Sequence, residues 1–173
     1  RSAGGASLAG AARTDIVAEL MADPFFAAPP PKSLDRDTFK AALGAVSGLS
    51  LEDGAATLTA YTVEAVGAAR RWLPAPPARW LVCGGGRRNG AMLTGLARRL
   101  NAGVAPVEMA GLDGDMLEAQ AFAYLATRVL RGLPTTLPET TGCRAPVSGG
   151  RIFGPDGAER PRARAVASAP ARR

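Results

Sequence analysis

The chain contains no histidine, and that absence removes a large part of enzyme chemistry. No Ser-His-Asp or Cys-His pair can be built, so acid–base work must fall to carboxylates. The two cysteines, Cys83 and Cys143, lie far apart in sequence with no histidine to join them. They do not make a zinc site, and they read as reduced thiols of a cytoplasmic protein. Aromatic residues are scarce at 5%. No apolar run is long enough to cross a bilayer, and the first fifteen residues lack the apolar core of a signal peptide. No Gly-x-x-x-x-Gly-Lys-Ser/Thr loop occurs. The Gly-x-Gly-x-x-Gly spacing also fails, because Asn89 stands at the final glycine position.

The net charge of +6 is concentrated in the last residues, where Arg151, Arg160, Arg162, Arg164, Arg172 and Arg173 face only Asp156 and Glu159. A Pro/Ala/Arg tail of this kind is expected to be disordered over 155–173, leaving 1–154 as the folded part. Nucleic-acid binding wants basic residues on a folded face with interleaved aromatics, so it is not expected. The length suits one domain, or one lobe of a larger enzyme. Because the first residue is Arg, the natural start is expected upstream or removed.

What the chain does have is a strand running into glycines and then a helix, at Trp80-Leu-Val-Cys-Gly-Gly-Gly-Arg-Arg-Asn89. Gly84, Gly85 and Gly86 let a ligand approach the backbone closely. Met92, Leu93, Leu96, Ala97 and Leu100 follow at helical spacing, and a helix N-terminus facing a bare turn favours a nucleotide or another anion. The alternative is a tight turn without a ligand.

Elsewhere, Thr14 is expected to cap a short helix ended by Pro24. Asp23 to Ser33 forms an ordered loop anchored by Phe25 and Phe26. A second short helix covers Arg36 to Leu43. Asp53 caps a helix from about Gly54 to Trp72 with the stripe Leu58, Tyr61, Ala65, Ala69 and Trp72. Val104 to Met109 is a second strand, and Met116 to Leu130 a helix apolar enough to be buried and closed at Gly132. Helices, strand, helix, strand, helix in this order imply an α/β layer with a parallel strand pair.

Asp113, Asp115 and Glu118 cluster where the last helix begins. They fit either a substrate pocket or a capping arrangement with Asp115 as N-cap and Glu118 reaching back. Lys32 and Arg36, and likewise Arg87 and Arg88, fit either phosphate contact or a solvated basic pair. Arg128 and Arg131 suit the negative end of a helix dipole.

Several stretches occur in a telling order: Asp23-Pro-Phe-Phe, Pro29-Pro-Pro-Lys-Ser33, Leu81-Val-Cys-Gly-Gly-Gly86 with Asn89, Asp115-Met-Leu-Glu-Ala-Gln-Ala-Phe-Ala123, Gly132-Leu-Pro134 and Thr141-Gly142. Over about residues 14–154 this resembles the C-terminal half of anhydro-N-acetylmuramic acid kinase. The resemblance implies the C-terminal lobe of an actin-like, ribonuclease H-like sugar kinase fold, with the N-terminal lobe absent. It implies a cytoplasmic enzyme of peptidoglycan recycling. With ATP, presumed Mg2+ and water, the family opens the 1,6-anhydro ring and phosphorylates O6, giving N-acetylmuramic acid 6-phosphate and ADP.

On that resemblance Gly84, Gly85, Gly86 and Asn89 contact adenosine. Glu118 faces the sugar, with Asp115 as a supporting substrate-side residue. The general-base Asp belongs to the absent lobe, so these residues alone are expected to be inactive. After Lys32 the family's Ser-Thr-Gly-Arg is replaced by Ser33-Leu34-Asp35-Arg36, which removes the glycine and threonine that a phosphate contact would use. A homodimer is possible, through apolar surface left uncovered. Two other functions compete with this one: a non-catalytic nucleotide-binding module and a Rossmann-type oxidoreductase using NAD.

Overall fold

The computed structural model describes residues 4–160. They fall into two compact units that divide between Leu117 and Glu118.

The first unit opens with α1 (Gly5–Ala9), α2 (Thr14–Met21) and the single turn α3 (Pro24–Ala27). Thr14 is the first helical residue of α2 and not its cap, a place that Arg13 takes without a side-chain bond. Pro24 opens α3 where it was expected only to close α2. Its missing N–H is harmless at the first helical position, and Asp23 caps the turn by accepting the Phe25 N–H at 2.8 Å. Phe26 is buried and meets Tyr61 edge-on at 5.9 Å, so the proline loop is anchored as expected.

A 3-10 turn at Arg36–Phe39 runs into α4 (Lys40–Ala45), and α5 (Leu51–Ala69) follows. The cap of α5 is Ser50, whose Oγ accepts the Asp53 N–H at 3.1 Å. The helix thus starts earlier than an Asp53 cap would allow, which places Glu52 and Asp53 in the first turn at the positive end of the dipole. The Asp53 carboxylate instead accepts the Ala11 N–H at 2.8 Å. The buried side of α5 also differs from the expected stripe. Ala56, Thr57, Val63 and Ala68 are buried, while Leu58, Tyr61 and Ala65 are only half-covered. Small residues win because α1, α2 and α6 (Gly90–Leu100) all pack on this side, where backbones approach closely. Thr57 is fully buried, with its hydroxyl donating to the Asp53 carbonyl at 2.7 Å and accepting the Arg13 N–H at 3.0 Å.

The strands β1 (Arg79–Val82) and β2 (Gly103–Pro106) are parallel, with Trp80 beside Val104 and Leu81 beside Ala105, and α6 joins them. The parallel pair is the one expected. However, β2 stops at Pro106, which lacks a ladder N–H, and Val107–Ala110 forms a 3-10 turn. Leu96 and Leu100 of α6 meet Val63 of α5 in the core, with Trp80, Val82, Met92 and Val104 packed around them. Each such side chain contributes about 1.5–3 kcal/mol by leaving water.

In the second unit lie α7 (Leu117–Leu130), α8 (Pro138–Thr141) and a hairpin of β3 (Ile152–Phe153) and β4 (Glu159–Arg160). Gly132, at φ 65°, closes α7 as expected, and the Leu133 N–H donates to the Arg128 carbonyl at 2.9 Å. Contrary to expectation, α7 buries none of its residues, and Phe122 and Tyr124 are 65% and 59% exposed. The single turn and two-residue strands of its own unit offer too little surface to cover it. Within the expected tail, residues 155–160 form the hairpin turn and β4, and residues 161–173 lie outside the described residues. No helix among the described residues is long and apolar enough to cross a membrane.

Candidate functional site

The path from β1 into α6 is set at Gly84. Its φ of 67° and ψ of −168° lie in a region that only glycine occupies without strain. A 3-10 turn at Gly85–Arg88 follows. No atom lies within 4 Å of where a Cβ would stand on Gly84 or Gly85, so both present bare backbone to open space. Gly86 is different, because a Cβ there would stand 3.0 Å from the Met92 sulfur. The first two glycines are free for a ligand, while the third packs the turn onto α6.

Asn89 caps α6, its Oδ1 accepting the Met92 N–H at 3.1 Å. The Gly4 backbone also lies against this side chain, since a Cβ on Gly4 would come within 2.2 Å of Oδ1. The acceptor of Asn89 is therefore committed, and its Nδ2 is the group left to offer a ligand.

Arg87 corrects the expectation of a solvated basic pair. Its side chain is 6% exposed, against 62% for Arg88. The guanidinium uses each of its nitrogens. Nε donates to Glu108 at 2.7 Å, Nη1 to the Gly84 carbonyl at 2.9 Å, and Nη2 pairs with Asp115 at 2.8 Å. Arg88 donates to the same Asp115 oxygen from outside. The bonds from Asp115 and Glu108 raise the Arg87 pKa above its ordinary value, and the Arg87 guanidinium in turn holds both carboxyls below theirs. Gly114 is buried beneath the guanidinium, where a Cβ would fall 2.4 Å from the Arg87 Nε.

Asp115 is therefore an ion-pair partner and not the cap of α7. The Asp113 carboxylate holds the turn that leads into α7, accepting the Asp115 N–H at 2.9 Å. The first turn of α7 holds Glu118, exposed and in the second unit. Thus the structure joins Asp115 to the glycine turn through Arg87, and Glu118 belongs to the other unit. Among the described residues Lys32 contacts no carboxylate in the way of a surface pair. Its Nζ donates to the Phe25 carbonyl at 2.5 Å and lies 4.4 Å from the centre of the Phe25 ring. Arg128 reaches beyond the end of α7 to the Pro134 carbonyl and also bonds the Tyr124 hydroxyl at 3.0 Å.

Glu108 and Gly114 were not singled out in the sequence. Glu108 carried a signal, since it is the one charged residue in the apolar run Val104–Ala110. Nothing in the sequence separates Arg87 from its neighbour Arg88. Among the described residues no group of three or more His, Cys, Asp or Glu side chains could hold a metal ion.

A sequence model of the anhydro-N-acetylmuramic acid kinase family matches residues 2–155. The anhydro-N-acetylmuramic acid kinase of Rhodospirillum rubrum is 58% identical over 134 residues, which cover 78% of this chain and 35% of that protein. The enzyme of the same name from Acidiphilium cryptum is 56% identical over 152 residues, covering 86% of this chain and 42% of its own length. That of Brucella anthropi is 50% identical over 140 residues, covering 81% and 37%. The chain thus spans between 35% and 42% of the length of these curated relatives.

Proposed function

The chain belongs to the anhydro-N-acetylmuramic acid kinase family, and we propose that its glycine turn holds the nucleoside of ATP for that family's reaction. One observation carries this reading: Gly84 and Gly85 leave open space where side chains would stand, at the start of the turn that leads into α6. Bare backbone admits the flat faces of a nucleoside, and the helix end favours the negative charge that follows it. Asn89 supplies a donor through Nδ2 while its Oδ1 keeps the helix start in place.

The reaction so proposed is ATP-dependent opening of the 1,6-anhydro ring with phosphorylation of O6, in amino-sugar catabolism and peptidoglycan recycling in the cytoplasm. Glu118 is the carboxylate that binds a sugar hydroxyl or orients the attacking water. Asp115 can offer a substrate only its second oxygen, Oδ1, because Oδ2 accepts both arginines. The general-base Asp is assigned to the part of the family's length that this chain does not span. As a lobe of an actin-like sugar kinase fold, this chain alone binds nucleotide without turning it over. Mg2+ neutralises phosphate charge when bound with the nucleotide; the described residues offer no protein cage for it, and no step is assigned through it.

Titration calorimetry of the chain with ADP, ATP and NAD tests the reading. ADP and ATP are expected to bind and NAD not to. Gly84→Ala is expected to weaken nucleotide binding by roughly fivefold to 150-fold, because alanine resists this backbone conformation at a cost of about 1–3 kcal/mol. Unchanged nucleotide affinity in Gly84→Ala overturns the assignment of the turn, and binding of NAD in place of ATP favours an oxidoreductase.

A further inference from the structure

We propose that Arg87 is a positioning residue for the nucleotide site, holding the glycine turn in its open form by bracing it against Glu108 and Asp115. This inference rests on the nucleotide reading of the turn given above.

Gly84 adopts its conformation without strain, but glycine has many others equally open to it, so this one persists only if its surroundings hold it. Open space surrounds its Cβ position, so packing does not hold it. Hydrogen bonds do. The Gly84 carbonyl accepts both the Arg87 N–H, at 3.3 Å, and Nη1, at 2.9 Å. The other guanidinium nitrogens are fixed on two further segments, the 3-10 turn after β2 through Glu108 and the loop before α7 through Asp115. One planar, nearly buried group therefore sets the turn against two separate parts of the same unit. A lysine cannot replace it, since a single ammonium lacks the rigid fork that spans three directions. The site is built around this group: Gly114 has no room for a Cβ beneath Nε, and Arg88 closes over Asp115 from the solvent side.

A role confined to stability would lower the melting temperature and leave affinity untouched at temperatures where the chain stays folded. A positioning role moves affinity and local order together. Three proteins are compared, namely the unaltered chain, Arg87→Lys and Gly114→Ala. The last keeps Arg87 but pushes its guanidinium aside. Each is examined by circular dichroism, by ADP titration calorimetry and by amide hydrogen exchange of the segment 83–89 without nucleotide.

For both variants we expect native helical content at low temperature, faster exchange in 83–89 and ADP affinity reduced about tenfold, the scale of losing one charge-assisted bond. Variants that fold and bind ADP as the unaltered chain does overturn the proposal, as does weaker binding with unchanged exchange in 83–89. Failure of the unaltered chain to bind ADP is a separate result, which removes the nucleotide reading and this inference with it. Should Arg87→Lys fail to fold, Gly114→Ala decides alone.

Discussion

The proline loop and the glycine turn are both held by a cation that folds back onto a backbone carbonyl, yet the two devices differ in what stands on the other side of the charge. Lys32 bonds the Phe25 carbonyl and rests over the Phe25 ring, with the Trp72 ring centre 6.0 Å away. Arg87 bonds the Gly84 carbonyl between two carboxylates. The first arrangement uses polarisable aromatic faces and sits on a loop already anchored by a buried ring. The second uses a full charge network around backbone that has no packing of its own. A cation can thus be an accessory where apolar burial does the holding, and the principal fastening where glycine has removed the side chains.

This contrast can be broken most forcefully at Phe26. Phe26→Ala is expected to destabilise the first unit by about 3 kcal/mol, because it deletes a buried ring and its edge-on contact with Tyr61. Urea unfolding followed by tryptophan fluorescence measures it, and a loss below about 1 kcal/mol would show that the loop is not anchored by burial.

Acid sharpens the contrast. The Arg87 guanidinium holds the Asp115 and Glu108 carboxyls lower in the folded chain than in the unfolded one. Their contribution is therefore complete above about pH 4.5 and is lost as the pH falls from there through the depressed folded values. Hydrogen exchange, corrected for intrinsic rates, should speed up in 83–89 between pH 6 and pH 3. The loop amides of Phe26, Ala28, Lys32 and Ser33 should change less, since the contacts of the Lys32 ammonium are to a carbonyl and an aromatic ring. Equal acceleration of both segments would abolish the distinction.

The smallest expected effect is at Lys32. Lys32→Met keeps the stem over the ring and removes the charge, so it should cost only about 0.5–1 kcal/mol in urea unfolding. A loss as large as that of Phe26→Ala would make the two loops equivalent after all.

Much of this was legible in the sequence, and the reasons are specific. The strand–glycine–helix passage and the parallel pair follow from Leu96 and Leu100 at helical spacing after a short apolar run, a pattern whose period matches its burial. The cap of α5 lies three positions before the expected Asp53 because Ser50 competes with it, and at the entry to α7 it is Asp113, two positions before Asp115, that takes the backbone bonds, since local chemistry suits each pair alike. The buried face of α5 differs from the expected stripe of Leu58, Tyr61, Ala65, Ala69 and Trp72, because helical spacing alone suits more than one face. Three helices crowd onto one side of α5, and there smallness decides. The brace at Arg87 was missed for a different reason. It depends on residues 21 and 28 positions downstream, which only the fold brings near.

Gly114 carries a consequence for how this protein can change. A side chain at that position must displace the guanidinium of Arg87 and the Glu108 carboxylate, so substitutions at 87 and 114 are expected to be epistatic. Shortening residue 87 first opens room for a larger residue at 114, and once that room is filled a returning arginine must take another path to Glu108 and Asp115. The two positions are far apart in sequence, with α6 and β2 between them, yet a Cβ on one would stand 2.4 Å from the side chain of the other, so each constrains what the other can become.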